Sequence, residues 1–287
     1  MSYTRTIAKL NNRKGQPVAL MATIGGNAGT GSVVSLTLVP LTVYLVMREQ
    51  LRGAGAHISA VAKLYIKLME SLISTVCGTC PLSMPEWAKK IGHAPCYVQR
   101  NIQNAGQPAT YCIKADDAID GMGWDLDGFA SMLDDAGAEG IDTIRSMVAG
   151  DAGMIQREDW ETLESFIAAQ PRNWKWLGYT HQKDAKWLQS THQLSTQSLP
   201  RDSYGQAHRA IKTGWSPFHV LGSGVESTDD AFTLCFKQER KAQGKVGNCM
   251  GCPTPCDGKS GNATVVANHN HGHERSKKSA LPMWTAR

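Results

Sequence analysis

Between residues 58 and 76 the apolar positions recur every three or four residues, at Val61, Leu64, Tyr65, Leu68, Leu72 and Val76, with Lys63, Lys67 and Glu70 between them. That period puts the apolar set on one face and the charges on the other, and it predicts an amphipathic helix. Upstream, residues 33–47 are rich in Val, Leu and Thr and are broken by Pro40; they read as one or two buried strands. Residues 1–32 read as short strands and turns, and residues 125–135 as a helix interrupted at Gly137 and Gly140.

From residue 144 onward the pattern alternates. A strand at 144–148 ends in Ala149-Gly150-Asp151 and is followed by a helix at 157–169. A strand at 174–177 ends in Gly178-Tyr179-Thr180-His181-Gln182 and is followed by a helix near 184–189. A third strand at 193–198 precedes a helix at 204–212 closed by Gly214, and a fourth at 218–221 runs into Gly222-Ser223-Gly224. Strands and helices alternating at this spacing imply a parallel sheet with crossover helices. The expected fold is therefore α/β, a partial or distorted (β/α) barrel with cysteine-rich metal-binding loops. The expected organisation is N-terminal strands and a helix at 1–76, a cysteine-rich barrel-like domain at 77–267, and a basic His-rich tail at 268–287.

In such folds ligands meet the carboxyl ends of the strands. The polar residues at those ends are Asp151, then Tyr179, Thr180, His181 and Gln182, then Ser195 and Ser198. Asp151, Tyr179, His181 and Gln182 are the catalytic candidates. Each has a structural alternative: an Asp after a glycine also serves as a turn or helix cap, and a His also serves as a hydrogen-bonded core residue.

Cysteine spacing adds a different chemistry. Cys235 is followed by Cys249, Cys252 and Cys256 in a stretch too rich in Gly and Pro for a helix. Two cysteines separated by two residues wrap a turn that holds both as thiolates on one ion or cluster, so zinc or an iron–sulfur cluster is the expected cofactor. The alternative is four unrelated thiols. A second focus is Cys77-Gly78-Thr79-Cys80-Pro81 with Cys96 and either Cys112 or His93, again as metal ligands or as buried thiols. The spacers of Cys249, Cys252 and Cys256 are two then three residues, the reverse of the three-then-two order usual in enzymes that split S-adenosylmethionine. Four cysteines around zinc would make a closed, structural site.

Composition narrows the setting. The chain has 287 residues, 41% hydrophobic and 19% charged, as in an ordinary globular protein. Its opening lacks the apolar core and cleavage site of a signal peptide, and the longest apolar run is too short to cross a bilayer. Those features predict a cytoplasmic protein with no membrane partner, in which eight cysteines serve as metal ligands or reduced thiols. A net charge of +5 is compatible with a nucleic acid or nucleotide partner. The glycine-rich run 25–32 invites comparison with a phosphate loop, with Gly26, Asn27 and Gly31 as the contacts, but the lysine of a Walker loop is missing. His269, His271 and His273 alternate in the tail and are either further metal ligands or solvated residues. Trp174, Trp176 and Trp187 are either base-stacking or core aromatics.

Several motifs occur in one order: Gly26 to Gly31; Cys77, Cys80 and Pro81 with Cys96-Tyr97; Ala149-Gly150-Asp151; Tyr179-Thr180-His181; Cys235 with Cys249, Cys252 and Cys256; and His271-Gly272. In this the chain resembles a family of phage proteins called gene product eighty-eight-like, over residues 11–278. The resemblance implies phage origin and the location of the site and leaves the reaction open. By fold-level analogy with enzymes that exchange a base in nucleic acid, Asp151 would be nucleophile or base reader, with Gln182 and Tyr179 as recognition partners. The first functional expectation is thus a metal-dependent or metal-stabilised enzyme of nucleic-acid modification. An iron–sulfur redox or radical enzyme and a zinc-stabilised, non-enzymatic binding module are the alternatives.

Overall fold

A computed structural model describes residues 3–27, 31–51, 58–78, 102–197, 204–220, 232–236, 239–240, 243–245, 247, 249, 252, 256 and 264–266. Cys80, His93, Cys96, Ser198 and the tail at 268–287 lie outside the described residues. By contacts the chain forms two compact units, residues 1–27 with 32–175 and residues 28–31 with 176–287. The fold is mixed α/β. Its described strands form a six-stranded and a five-stranded sheet, and no closed barrel is formed among the described residues.

The first unit is built on a long hairpin. Strands β1 (Tyr3–Asn11) and β2 (Pro17–Asn27) pair antiparallel from Tyr3↔Ile24 to Asn11↔Pro17, with a bulge between Thr6 and Ala8. Asn12 makes the turn: its side-chain oxygen accepts from the Lys14 and Gln16 N–H groups at 2.8 and 2.9 Å, and Gly15 takes the left-handed φ of 73° that closes it. Its amide nitrogen donates to the Thr75 carbonyl at 2.6 Å and so ties the turn to the helix α2 (Ile58–Cys77). The residues expected as short strands thus form two long ones.

Strand β3 (Gly31–Pro40) lies beside β2 and is buried over its last eight residues. The strand reading of 33–47 holds only as far as Pro40. Residues 41–47 belong to helix α1 (Leu41–Leu51), where Val43, Tyr44 and Met47 bury one face and Leu45 is 49% exposed. Pro40 ends the strand, and the uncharged run that follows has a one-sided burial that only a helix produces. Helix α3 (Ile102–Lys114) packs against α1 and α2. Strand β4 (Gly123–Trp124) joins the far side of β1, and helix α4 (Leu126–Ala138) runs through Gly137 where an interruption was expected. Strand β5 (Thr143–Arg145) pairs parallel with β3, helix α5 (Arg157–Ala168) follows, and β6 (Lys175–Leu177) completes the sheet order β4-β1-β2-β3-β5-β6.

Successive residues of β1 serve opposite faces. Thr6 meets the Tyr44 hydroxyl at 2.6 Å, while Arg5 pairs with Asp125, the N-cap of α4, at 2.5 Å and with Asp116 at 3.0 Å. Tyr44 also donates to Asp117 at 2.8 Å, and Lys9 pairs with Asp117 at 2.9 Å. Burial opposes ionisation of Asp117, but hydrogen bonds from Lys9, Tyr44 and the Ile119 N–H outweigh it and hold the carboxyl below its ordinary range. Burial pushes the Tyr44 hydroxyl upward.

The second unit holds the parallel sheet. Strands β7 (Tyr179–Thr180), β8 (Gln193–Gln197), β9 (Pro217–Val220), β10 (Thr233–Leu234) and β11 (Thr264–Val266) lie in the order β10-β11-β9-β8-β7, and all four pairings are parallel. The expected helix near 184–189 is a single 3-10 turn, Lys186–Leu188, and helix α6 (Gly205–Lys212) links β8 to β9. One face of the sheet carries Thr196 and the fully buried His219, 2.7 Å apart through Oγ1 and Nδ1, under the rings of Tyr204 and Phe232. Among the described residues no helix is long and apolar enough to cross a membrane.

Candidate metal centre

The strand register sorts side chains between two faces. Tyr179 is opposite Gln193, Ser195 opposite Phe218, and Thr196 opposite His219. Alternation places Tyr179, Gln193, Ser195 and Phe218 on the face away from His219. The Tyr179 and Phe218 rings meet there with centroids 4.1 Å apart, although β7 and β9 are separated by β8.

The four late cysteines, Cys235, Cys249, Cys252 and Cys256, lie between β10 and β11 in the chain. Cys235 immediately follows β10, one edge of the sheet. The Cys252 N–H donates to the Cys249 carbonyl at 3.2 Å, which is the turn expected of a two-residue spacer. The Cys256 carbonyl accepts from the Gly178 N–H at 3.1 Å, tying the cysteine loop to the residue before β7, the opposite edge. Cys256 is buried, and burial pushes its thiol up to about 12; the charges of Cys235, Cys249 and Cys252 push the same way, against a hydrogen bond from the Tyr179 hydroxyl. Burial also raises the Tyr179 hydroxyl, and the charges of Cys256, Cys249 and Cys235 add to it. The Cys256 main chain is thus tied beside β7, while Cys235 follows β10 at the other edge. As they stand, no three His, Cys, Asp or Glu side chains among the described residues are grouped closely enough to hold an ion.

Tyr179 thus stands beside Gln193 and Phe218 on this face. His181 follows β7 at the carboxyl edge of the sheet and is half-buried, and Gln182 is buried with its N–H on the Thr180 hydroxyl at 3.0 Å. Asp151 lies in the first unit. It is buried, its carboxylate accepts from the Gly153 N–H at 2.9 Å to cap the 3-10 turn Ala152–Met154, and its own N–H donates to the Val76 carbonyl at 2.8 Å. Gly150 before it has a φ of 85°, and a Cβ there would stand 2.8 Å from the Leu38 Cβ, so the Ala-Gly-Asp order has a packing reason of its own.

Cys77 is buried at the end of α2, and Cys112 is buried in α3, where burial pushes its thiol up to about 12. Gly26 and Asn27 end β2 and Gly31 opens β3, so the glycine run leads into a strand and not into the helix N-terminus that a phosphate loop requires. Trp174 and Trp176 are buried, which makes them core residues and not a stacking platform; Trp187 is half-buried.

One residue of this face carried no sequence signal. Gln193 opens β8 and is fully buried, and neither Nε2 nor Oε1 has a hydrogen-bond partner. A glutamine at a strand start matches no motif, and only the register with Tyr179 draws it to the site. Compared with known proteins, the chain matches no family model, no curated protein and no solved structure.

Proposed function

We propose that Cys235, Cys249, Cys252 and Cys256 hold one metal ion or iron–sulfur cluster that closes the five-stranded sheet into a distorted partial barrel, and that the protein modifies nucleic acid at the carboxyl edge of that sheet. The observation that carries the reading is that Cys235 follows one edge strand while the Cys256 carbonyl accepts from the Gly178 N–H beside the other. Laid flat, β7 and β10 would lie about 19 Å apart at the usual strand spacing. Yet the Cys256 carbonyl, later in the segment that Cys235 opens after β10, meets the Gly178 N–H just before β7 at 3.1 Å. A sheet curled toward the Tyr179 and Phe218 face supplies that approach, and a bound ion would complete it.

The donor set fits the group. Four sulfurs suit zinc or iron and are poor ligands for calcium or magnesium. Four protein ligands leave an ion no open position, so it would supply a cross-link. Proton transfer then falls to side chains at the carboxyl edge. Among the described residues His181 follows β7 at that edge and is the candidate for that role, with Gln182 beside it to support the loop. Asp151, whose carboxylate is engaged as a cap, supports base exchange less well than it supports local structure. The charge of +5 is compatible with a polyanionic substrate.

The test is metal and sulfide analysis of protein purified without oxygen, beside Cys252→Ser and His181→Ala. The expected result is about one zinc per chain, lost in Cys252→Ser and kept in His181→Ala, which binds an oligonucleotide but no longer turns it over. Iron with sulfide and a brown colour would turn the reading to a redox centre. Folded wild-type protein without metal would end it. If His181→Ala keeps full activity while Cys252→Ser fails to fold, the protein is a binding module.

A further inference from the structure

A cleft of about 390 Å³ opens in the first unit, between the C-terminal half of α4 and the segment 170–174 that follows α5. That volume falls within the range of about 300–1,000 Å³ usual for small-molecule sites. Leu133 and Trp174, both buried, supply its apolar wall, and Asp134, Gln170 and Arg172 supply its polar groups. Arg172 is held in place. Its Nη2 donates to the Gly137 carbonyl at 2.8 Å, and a Cβ on Gly137 would stand 2.9 Å from its Nε, so the glycine leaves the space in which the guanidinium lies. One such bond leaves most of the five donors of the fork unused.

Asp134 is three residues before Gly137, on the same side of α4. The two opposite charges thus border one cleft a helical turn apart, yet no ion pair among the described residues includes either of them. An arginine that served only to cap α4 would need the carbonyl and no cleft. Opposite charges backed by an apolar wall match a ligand that carries both charges on neighbouring atoms and an apolar body beside them. We propose that the cleft binds a small zwitterion of the α-amino-acid type with an apolar side chain. Its carboxylate meets the Arg172 fork, its ammonium meets Asp134, and its side chain packs on Leu133 and Trp174. The assignment is independent of the four late cysteines and of any metal.

L-Phenylalanine is the probe, titrated into the full chain with nitrogen-15 in its arginine and tryptophan side chains. The Arg172 Nε–H and Trp174 indole N–H signals should shift together and saturate. 3-Phenylpropionate lacks the ammonium and 2-phenylethylamine lacks the carboxylate, so each should bind about tenfold more weakly or worse, having lost one charged hydrogen bond. Asp134→Asn should erase the preference for phenylalanine over phenylpropionate. Gly137→Ala separates the site from the fold. Alanine is the better helix former, so the thermal midpoint should hold or rise, whereas the new methyl displaces the guanidinium and should weaken phenylalanine binding about tenfold. Analogues that bind as tightly as phenylalanine would overturn the assignment and reduce the cleft to an apolar groove. So would Arg172 and Trp174 signals that stay still at millimolar phenylalanine, or a Gly137→Ala variant that binds as wild type does.

Discussion

Gly178 shows how a single missing side chain sets the geometry of the second unit. A Cβ there would stand 2.5 Å from Cδ2 and 2.6 Å from Nε2 of His192, a fully buried ring held by the Thr191 hydroxyl at 2.9 Å. The ring is fully buried and hydrogen-bonded and Gly178 has no left-handed φ, so the glycine is required by contact, not by backbone conformation. Gly178→Ala should cost about 1–3 kcal/mol through overpacking, and much of that loss should vanish when the same change is made in a His192→Ala background. A double-mutant cycle of denaturant midpoints measures the difference. Equal losses in the two backgrounds would mean that the ring is not what the methyl meets. Because the same glycine holds the Cys256 carbonyl, the clash should also loosen the cysteine loop.

Between elements, the first unit depends on polar groups that a periodicity argument passes over. Asp117 gathers Lys9 from β1 and Tyr44 from α1, and its carboxyl is held below the ordinary range. A carboxyl lowered by folding contributes stability that is present above its unfolded pKa, near 3.9, and is lost as the pH falls through the lower folded value. Asp117→Asn should cost about 3 kcal/mol at neutral pH by leaving Lys9 unpaired, and the gap from wild type should narrow on acidification from pH 5 toward pH 2. Midpoints measured along that series decide it; a gap that stays constant would mean that the carboxylate charge contributes nothing. The elements legible from the sequence are those whose burial is one-sided or regularly alternating. The amphipathic α2 and strands β5, β6, β8 and β9 fall in that class, whereas β7 reads as the polar end of β6, the helix near 184–189 is reduced to one turn, and the expected single parallel sheet is divided between two sheets. Helix α3 is invisible to periodicity because it holds Pro108 and several polar residues, and it forms because Ala109 and Cys112 are buried against its neighbours. Helix α1 reads as strand because an uncharged run of Leu, Val and Thr satisfies either period until its exposed Leu45 is seen. At the site, cysteine spacing points to the thiols, whereas Gln193 emerges only from strand register.

At the scale of the molecule, the two units differ in what could stabilise them. The first has a hairpin of nine- and eleven-residue strands, with Ile7, Leu20 and Leu36 fully buried beside it. The second has strands of two, five, four, three and two residues, of which the two edge strands are the shortest. Strands that short contribute few ladder hydrogen bonds, and a sheet with open edges gains from any cross-link between them. If an ion joins the cysteines at both edges, its binding free energy is folding free energy for this unit above all. Hydrogen exchange before and after chelation should therefore change unevenly. Amides of β7, β8 and β9 should exchange faster once metal is removed, while those of β1 and β2 should keep their protection. Uniform loss of protection across both units would mean that the ion supports the whole chain. Unchanged protection in β7 to β9 would mean that the short strands hold themselves without an ion between the edges.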